Sequence, residues 1–357
     1  MGGNALAPYG ARRVTAVEYR KYKKLLYEKF GAFLETLVTP ELNISYSDIP
    51  YYSTKPDFGD LDFLVTGITN QDVLNFLGYI NCSVYQHEFS KKKTYFNPPQ
   101  TYSFLFEDIL QVDIILVPEE DFYTSLIYYA YNDLGNLLGK IYNRMGLKYG
   151  HRGLTYSLTT GTEKFDEILV SKNHDFIYGF LGLPFDRNKY LIDKSIFPDL
   201  NSIFEFVKKS KYFHPDIFIY ENLNHKNRIR DKKRNTYRLF LDHLKSIPIV
   251  KPPLDEFFSN YFPTEEKKLQ ILFDYFSGFE ESYKYSLKER DEQLRRRGMF
   301  NGVVINEITG LEGKDLSLFM ESLRKNSEFE SRIYLSKEKF HLWIKDEFDN
   351  LEKPNAL

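Results

Sequence analysis

Two aspartates two residues apart, Asp60 and Asp62, open the apolar run Leu61-Phe63-Leu64-Val65, and a third, Asp113, interrupts Val112-Ile114-Ile115-Leu116-Val117. In an extended chain positions i and i+2 face the same side, so Asp60 and Asp62 project together while Leu61, Phe63 and Val65 point elsewhere. Neighbouring carboxylates raise each other's pKa and are costly side by side unless a cation is present. A lone carboxylate in a buried strand is equally disfavoured, so Asp113 calls for a partner, a solvated pole or a metal. Three such groups form a natural site for Mg²⁺, which takes carboxylate oxygens together with substrate phosphates. Two such ions about 4 Å apart would activate an attacking hydroxyl and stabilise a leaving pyrophosphate. The same residues also fit a plainer arrangement, two solvated turn acids before an edge strand with Asp113 paired to a Lys or Arg.

Both acidic stretches must sit on strands to serve this chemistry. Leu61–Val65 and Leu110–Val117 read as strands, as do Val84–Phe89 and Thr101–Phe106, which flank a Lys91-Lys92-Lys93 turn. Residues 15–38 carry apolar side chains at helical spacing behind Thr15 as N-cap and stop before Pro40. Asp72–Leu77 reads as a second helix, and Ser53-Thr54-Lys55-Pro56-Asp57-Phe58-Gly59 as a turn-rich loop leading into Asp60. Residues 119–147 are helical with an interruption at Asn132-Asp133-Leu134-Gly135, and Leu154–Leu158 forms a short strand. Past about residue 165 strand signals nearly vanish. Helical segments follow at about 173–182, 200–210, 231–246, 264–297, 313–325 and 335–351, divided by Pro and Gly. The expected architecture is an α/β (α+β) domain with a mixed sheet over residues 12–165, followed by a mostly α-helical region over 166–357.

The stretch Ser53–Val65, followed by Val112-Asp113-Ile114, resembles the signature of DNA polymerase beta-like nucleotidyltransferases. That signature is Gly-Ser, a short loop containing Gly, Asp-x-Asp on a strand and a third Asp on a neighbouring strand. The resemblance implies a nucleotidyltransferase domain in which Asp60, Asp62 and Asp113 are catalytic and hold two Mg²⁺ ions, with Mn²⁺ as a substitute. It also implies an NTP substrate met by Ser53, Lys55 and Gly59. The signature's Gly-Ser reads Tyr52-Ser53 here, so the hydroxyl is kept, the glycine's close backbone approach is lost, and Lys55 is left to contact phosphate.

Beyond the third Asp, Asn132 and Asn136 occupy the region where related enzymes read the sugar or base, and they serve equally as helix caps. Arg152, in Lys148-Tyr149-Gly150-His151-Arg152-Gly153, offers charge on a glycine-flexed loop suited to triphosphate or base contacts, or to an ordinary surface turn. The segment His225–Arg238 holds seven cations, Lys226, Arg228, Arg230, Lys232, Lys233, Arg234 and Arg238, against Asp231 alone. It reads as a phosphate-binding face with Tyr237 for stacking, or as a solvated helix. Phe300-Asn301-Gly302-Val303-Val304 and Thr309-Gly310-Leu311-Glu312-Gly313 resemble an element late in the helical region of CCA-adding and poly(A)-adding enzymes. That likeness implies an RNA 3'-end as acceptor, a tRNA among the candidates.

Composition narrows the classes. The net charge of −2 over 357 residues rules out a polycation, so contact with nucleic acid must come from local patches. The single cysteine, Cys82, excludes an intramolecular disulfide and a Cys-based zinc cluster. Aromatics make up 17% of residues, part of a bias toward Phe, Tyr, Lys and Asn that weakens any stacking argument from abundance alone. With no apolar stretch near 18 residues and no signal-peptide pattern, a soluble, cytoplasmic protein without membrane contact is expected. The function expected from sequence is template-independent, metal-dependent transfer of a nucleoside monophosphate from an NTP to an RNA 3'-end. The alternatives are nucleotidylation of a protein or small molecule, and a catalytically silent nucleic-acid-binding or assembly protein on the same fold.

Overall fold

The computed structural model describes residues 5–37, 43–82, 84–88, 100–193, 196–245 and 251–352. The Lys91-Lys92-Lys93 turn lies outside them. The chain packs as two compact units, Met1–Ser157 with Glu167–Phe279, and Leu158–Asp166 with Glu280–Leu357. The units thus do not divide at residue 165, because residues 167–279 group with the first unit.

The first unit begins with β1 (Val14–Thr15), α1 (Ala16–Leu34), β2 (Ser45–Asp48), β3 (Asp57–Phe58), β4 (Asp60–Thr66) and α2 (Asn70–Tyr79). It continues with β5 (Val84–Glu88), β6 (Gln100–Phe106), β7 (Leu110–Leu116), α3 (Phe122–Tyr129) and α4 (Leu134–Arg144). Both early helices start on a capping box. The Thr15 hydroxyl accepts from the Glu18 amide while the Glu18 carboxylate accepts from the Thr15 amide, and Thr69 and Asp72 repeat the exchange. Helix α1 ends at Leu34, short of the expected 38.

Five strands form one mixed sheet in the order β2-β4-β7-β6-β5. The β4–β7 pair is parallel, and β2–β4, β7–β6 and β6–β5 are antiparallel. Alternation sends Leu61, Phe63 and Val65 of β4 and Val112 and Ile114 of β7 to one face, where they meet Leu26, Phe30 and Phe33 of α1 and Val73 and Phe76 of α2. Phe30 meets Phe63 and Phe76 edge-on at 5.3 and 4.9 Å. Burial of rings of this size supplies much of the driving force that fixes the sheet's register.

Three further strands, β8 (Leu147–Gly150), β9 (Gly153–Thr160) and β10 (Glu163–Ser171), make a second sheet. Strand β10 runs past residue 165, where no strand is expected. Only Ile168 and Val170 of its nine residues are buried, so partnership with β9 decides the conformation. Helices α5 (His174–Phe180), α6 (Leu200–Lys208), α7 (His225–Lys232), α8 (Asn235–Lys245), α9 (Leu254–Tyr261) and α10 (Glu265–Tyr275) complete the unit. The expected helix at 231–246 is two helices, α7 and α8, the first starting at His225.

The second unit holds α11 (Phe279–Met299), α12 (Gly302–Thr309), α13 (Gly313–Lys325), α14 (Phe329–Arg332) and α15 (Lys337–Glu352). The single helix expected over 264–297 is broken at Gly278, whose φ of 81° suits a residue without a side chain. Ile305, Phe319, Phe340 and Ile344 lie in this unit's core. Asn301 caps α12 by accepting from the Val303 and Val304 amides at 3.0 and 3.1 Å, and Gly310 ends it with a φ of 72°. No helix among the described residues is long and apolar enough to cross a membrane.

Candidate metal centre

On the sheet face turned away from α1 and α2, β4 presents Asp60, Asp62 and Leu64, and β7 presents Gln111, Asp113 and Ile115. Leu64 and Ile115 pack with Phe122 and Leu126 of α3, and the aspartates precede them along the strands. The parallel register sets Asp62 opposite Asp113 and Asp60 opposite Gln111. One carboxylate oxygen from each of Asp60, Asp62 and Asp113 lies within 4.8 Å of the others.

Asp113 is 2% exposed and is the most elaborately held of the three. The Gln111 side-chain amide donates to both of its oxygens, at 3.0 and 3.1 Å, and Gln111 in turn accepts from the Leu6 amide at 3.1 Å. Ser103 of β6 stands directly across from Asp113, and its hydroxyl bond favours the ionised form. Burial nevertheless pushes the Asp113 carboxyl above its usual range. Asp60 and Asp62 are pushed up as well, first by burial and then by carboxylate neighbours, Asp113 for Asp60 and Asp60 for Asp62. One oxygen of Asp60, Oδ2, is buried without a hydrogen-bond partner among the described residues. Convergent carboxylates, mutual repulsion and an unbonded oxygen together make a donor set for a hard, oxygen-seeking cation. The triad can hold a metal ion.

The structure brings Lys55 to this site. Its ammonium lies 4.5 Å over the Phe58 ring, and its pKa is lowered by burial against the attraction of Asp60 and Asp62. Gly59 is buried in the bend between β3 and β4. Ser53 is exposed in the preceding turn, and its amide and that of Thr54 donate to the carbonyls of Phe197 and Pro198 at 3.1 and 2.9 Å. The amides a Gly-Ser turn would offer to a phosphate are therefore engaged within the chain.

The other expected residues divide. Asn132 heads α4 with a φ of 61°, next to Tyr131 at 57°, so two consecutive side-chain-bearing residues take the left-handed conformation. Asn136 is occupied. It accepts from Arg230 at 2.6 Å and donates to Asp231 at 3.4 Å. Arg152 bonds the buried Asp121 at 3.2 Å, and Lys172 pairs with the same carboxylate at 2.5 Å.

The basic segment divides in the same way. Asp231 is fully buried and takes Lys140 of α4, Arg230 and Arg234, while Arg234 also pairs with Asp133. Arg228 donates to the Leu223 carbonyl at 3.1 Å. Arg230 and Arg234, read from sequence as part of a phosphate-binding face, thus fasten the α7 segment to α4. Tyr237 has no exposed ring for stacking, because it is buried with its hydroxyl on the Phe218 carbonyl. Lys226, Lys232, Lys233 and Arg238 remain on the surface, with Lys232 5.5 Å from the Tyr220 ring and Arg238 bonded to Asn235 at 3.3 Å.

Sequence reasoning passed over Gln111 and Ser103. Gln111 lies two residues before Asp113, on the same strand face, and that spacing was the available signal. Ser103 had none, since only the strand pairing sets it opposite. No family model and no curated protein matches the chain.

Proposed function

We propose that this chain is a metal-dependent nucleotidyltransferase, built on a nucleotidyltransferase-type α/β domain, that moves a nucleoside monophosphate from an NTP to the 3'-hydroxyl of an RNA. The observation that carries this reading is the meeting of Asp60, Asp62 and Asp113 on one face of two adjoining parallel strands, with carboxylate oxygens within 4.8 Å. When bound, two Mg²⁺ ions, or Mn²⁺ in their place, would supply charge neutralisation for the triphosphate and the leaving pyrophosphate.

Asp60 and Asp62 would hold the ions, and Asp113, fixed by Gln111 and Ser103, keeps one carboxylate aimed at the acceptor side. The acceptor oxygen forms the new bond to the α-phosphorus, the bond from that phosphorus to the bridging oxygen breaks, and pyrophosphate leaves with the electron pair. The hydroxyl proton passes to a carboxylate oxygen of Asp113. Lys55 meets the β- and γ-phosphates from beside Phe58, and the exposed Ser53 hydroxyl lies in the turn that precedes it. The work is mainly positioning and charge stabilisation.

RNA, tRNA included, is favoured as acceptor by the exposed cations Lys226, Lys232, Lys233 and Arg238 on an otherwise slightly acidic chain. The test incubates the wild-type chain and an Asp60→Asn/Asp62→Asn variant with Mg²⁺ or Mn²⁺, each labelled NTP, and short RNA or pooled tRNA. Label joined to RNA by the wild type alone supports the reading and names the base. Label on protein instead would move the acceptor to a polypeptide, and RNA binding with no transfer would leave a silent binding protein.

A further inference from the structure

A segment ahead of α1 is fastened at the approaches to both aspartate-bearing strands. Leu6 is 1% exposed, and its amide donates to Gln111 Oε1 at 3.1 Å. Its carbonyl accepts from the Tyr9 and Ala11 amides at 2.9 and 3.2 Å, around the single tight turn Ala7–Tyr9. The Arg12 amide then donates to the carbonyl of Ile109, the residue before β7, at 3.0 Å. Strand β1 follows and pairs with β3, Val14 opposite Phe58 and Thr15 opposite Asp57, while Arg13 Nε donates to the Asp57 carboxylate at 2.7 Å. Strand β3 leads through Gly59 into Asp60. Residues 6–15 are thus tied at one end to Gln111, which holds Asp113, and at the other to the strand entering Asp60.

The bond from Leu6 settles which way Gln111 faces. A side-chain amide has one accepting oxygen and one donating NH₂ group. A backbone N–H only donates, so the Leu6 amide takes the oxygen and leaves the NH₂ to Asp113, where it donates to both carboxylate oxygens at 3.0 and 3.1 Å. Turned over, Gln111 would set its oxygen against a carboxylate and leave the Leu6 amide unpaired in the interior. Gln111 is itself 1% exposed, so water has little access to take the place of the Leu6 donor. We infer that the backbone amide of Leu6 is a positioning group of the metal centre, acting through Gln111 to hold Asp113 in the orientation that receives a divalent cation; this rests on the metal site of the proposed nucleotidyl transfer. The partner that orients a ligand governs metal affinity by roughly 10-fold or more, and Leu6 orients that partner.

Hydrogen exchange of the Leu6 amide in the wild-type chain, with and without Mg²⁺, tests this. If the Leu6–Gln111 bond raises Mg²⁺ affinity about ten-fold, linkage requires saturating Mg²⁺ to slow exchange at Leu6 about ten-fold. The Arg12 amide, in the same segment but bonded to Ile109, should change by less than about two-fold. Equal slowing of both amides would assign the effect to general stabilisation and overturn the role of Leu6. Calorimetric Mg²⁺ titration of variants gives a second readout. Leu6→Pro, which lacks the N–H, should bind Mg²⁺ about ten-fold more weakly, while Leu6→Ala, which keeps it, should stay within about two-fold even where it melts lower. In a Gln111→Leu background, Leu6→Pro should add less than about two-fold, because its partner is already gone. Unchanged affinity in Leu6→Pro, the full loss in Leu6→Ala, or a further ten-fold loss in the Gln111→Leu background would each overturn the inference. Where Leu6→Pro does not fold, the wild-type exchange measurement decides. Mg²⁺ binding with unchanged exchange at Leu6 would remove the positioning role and leave nucleotidyl transfer standing. Absence of Mg²⁺ binding by the wild type would remove both.

Discussion

Asp62 and Asp113 face one another across adjoining parallel strands, so one strand register sets the spacing of carboxylates that are far apart in sequence. A one-residue slip would turn Asp113 into the apolar core under α1 and bring Val112 to its place. The acidic site and the hydrophobic core are therefore specified by the same pairing.

Divalent cations should stabilise this chain through the triad. Mg²⁺ or Mn²⁺ at about 100 times its dissociation constant adds roughly 2.7 kcal/mol and raises the melting temperature by several degrees. Asp60→Asn/Asp62→Asn should abolish that gain. Without metal the variant should melt above the wild type, because it removes carboxylates whose raised pKa values record an unfavourable ionised state. Since protons and metal compete for the same raised-pKa groups, metal affinity should weaken as pH falls through the neutral range. Calorimetric titration and thermal melts check both.

Gln111→Leu should remove the donor shared by both Asp113 oxygens while keeping the side chain's bulk. Apparent metal affinity should fall about 10-fold with the fold retained, the range expected when the partner that orients a ligand is lost. An unchanged metal titration would show that Gln111 does not position Asp113.

The buried Lys140–Asp231 pair should behave as an interdependent unit. Asp231→Ala strands the buried Lys140 and should cost about 3–5 kcal/mol, while the part-exposed Arg230 and Arg234 keep Asn136 and Asp133. A Lys140→Met/Asp231→Leu double change should cost much less, since no charge is then left buried without a partner. Urea unfolding of the two variants measures the difference.

The surface cations should separate from the buried ones in RNA binding. Lys226→Glu and Lys233→Glu should weaken binding across RNA sequences, reduce the salt dependence by about one unit per lost phosphate contact, and leave the melting temperature unchanged. Arg234→Ala should lower the melting temperature, because it breaks the Asp133 and Asp231 pairs. Filter binding over a salt series, paired with melts, distinguishes the groups.

His174 should make the fold acid-sensitive. It is buried in the first turn of α5, and burial holds its pKa at about 4, below the ordinary 6.5. Between those values the unfolded chain binds the extra proton, so stability is complete above pH 6.5 and declines as pH falls toward 4, by at most roughly 3 kcal/mol. His174→Phe should flatten that part of the profile in melts taken from pH 7 to pH 4.

The sequence by itself determined the elements that depend on local pattern. Thr15 and Thr69 could cap their helices because the reciprocal carboxylates Glu18 and Asp72 lie three residues on. The two acidic strands were legible because period-two alternation sorts Asp60 and Asp62 from Leu61 and Phe63, and because a lone Asp113 among branched apolar residues needs an explanation. Tertiary structure decided everything that turns on which segments become neighbours. Ser103 reached Asp113 through strand pairing alone, and β10 became a strand because β9 accepted it. Arg230 and Arg234, in sequence part of a surface charge patch, became a fastening once Asp133, Asn136 and Lys140 of a distant segment met them and Asp231. Local spacing encodes which side of an element a residue faces, but a charge's partner is set by long-range packing, and that partner decides whether the charge serves the fold or remains free for a ligand.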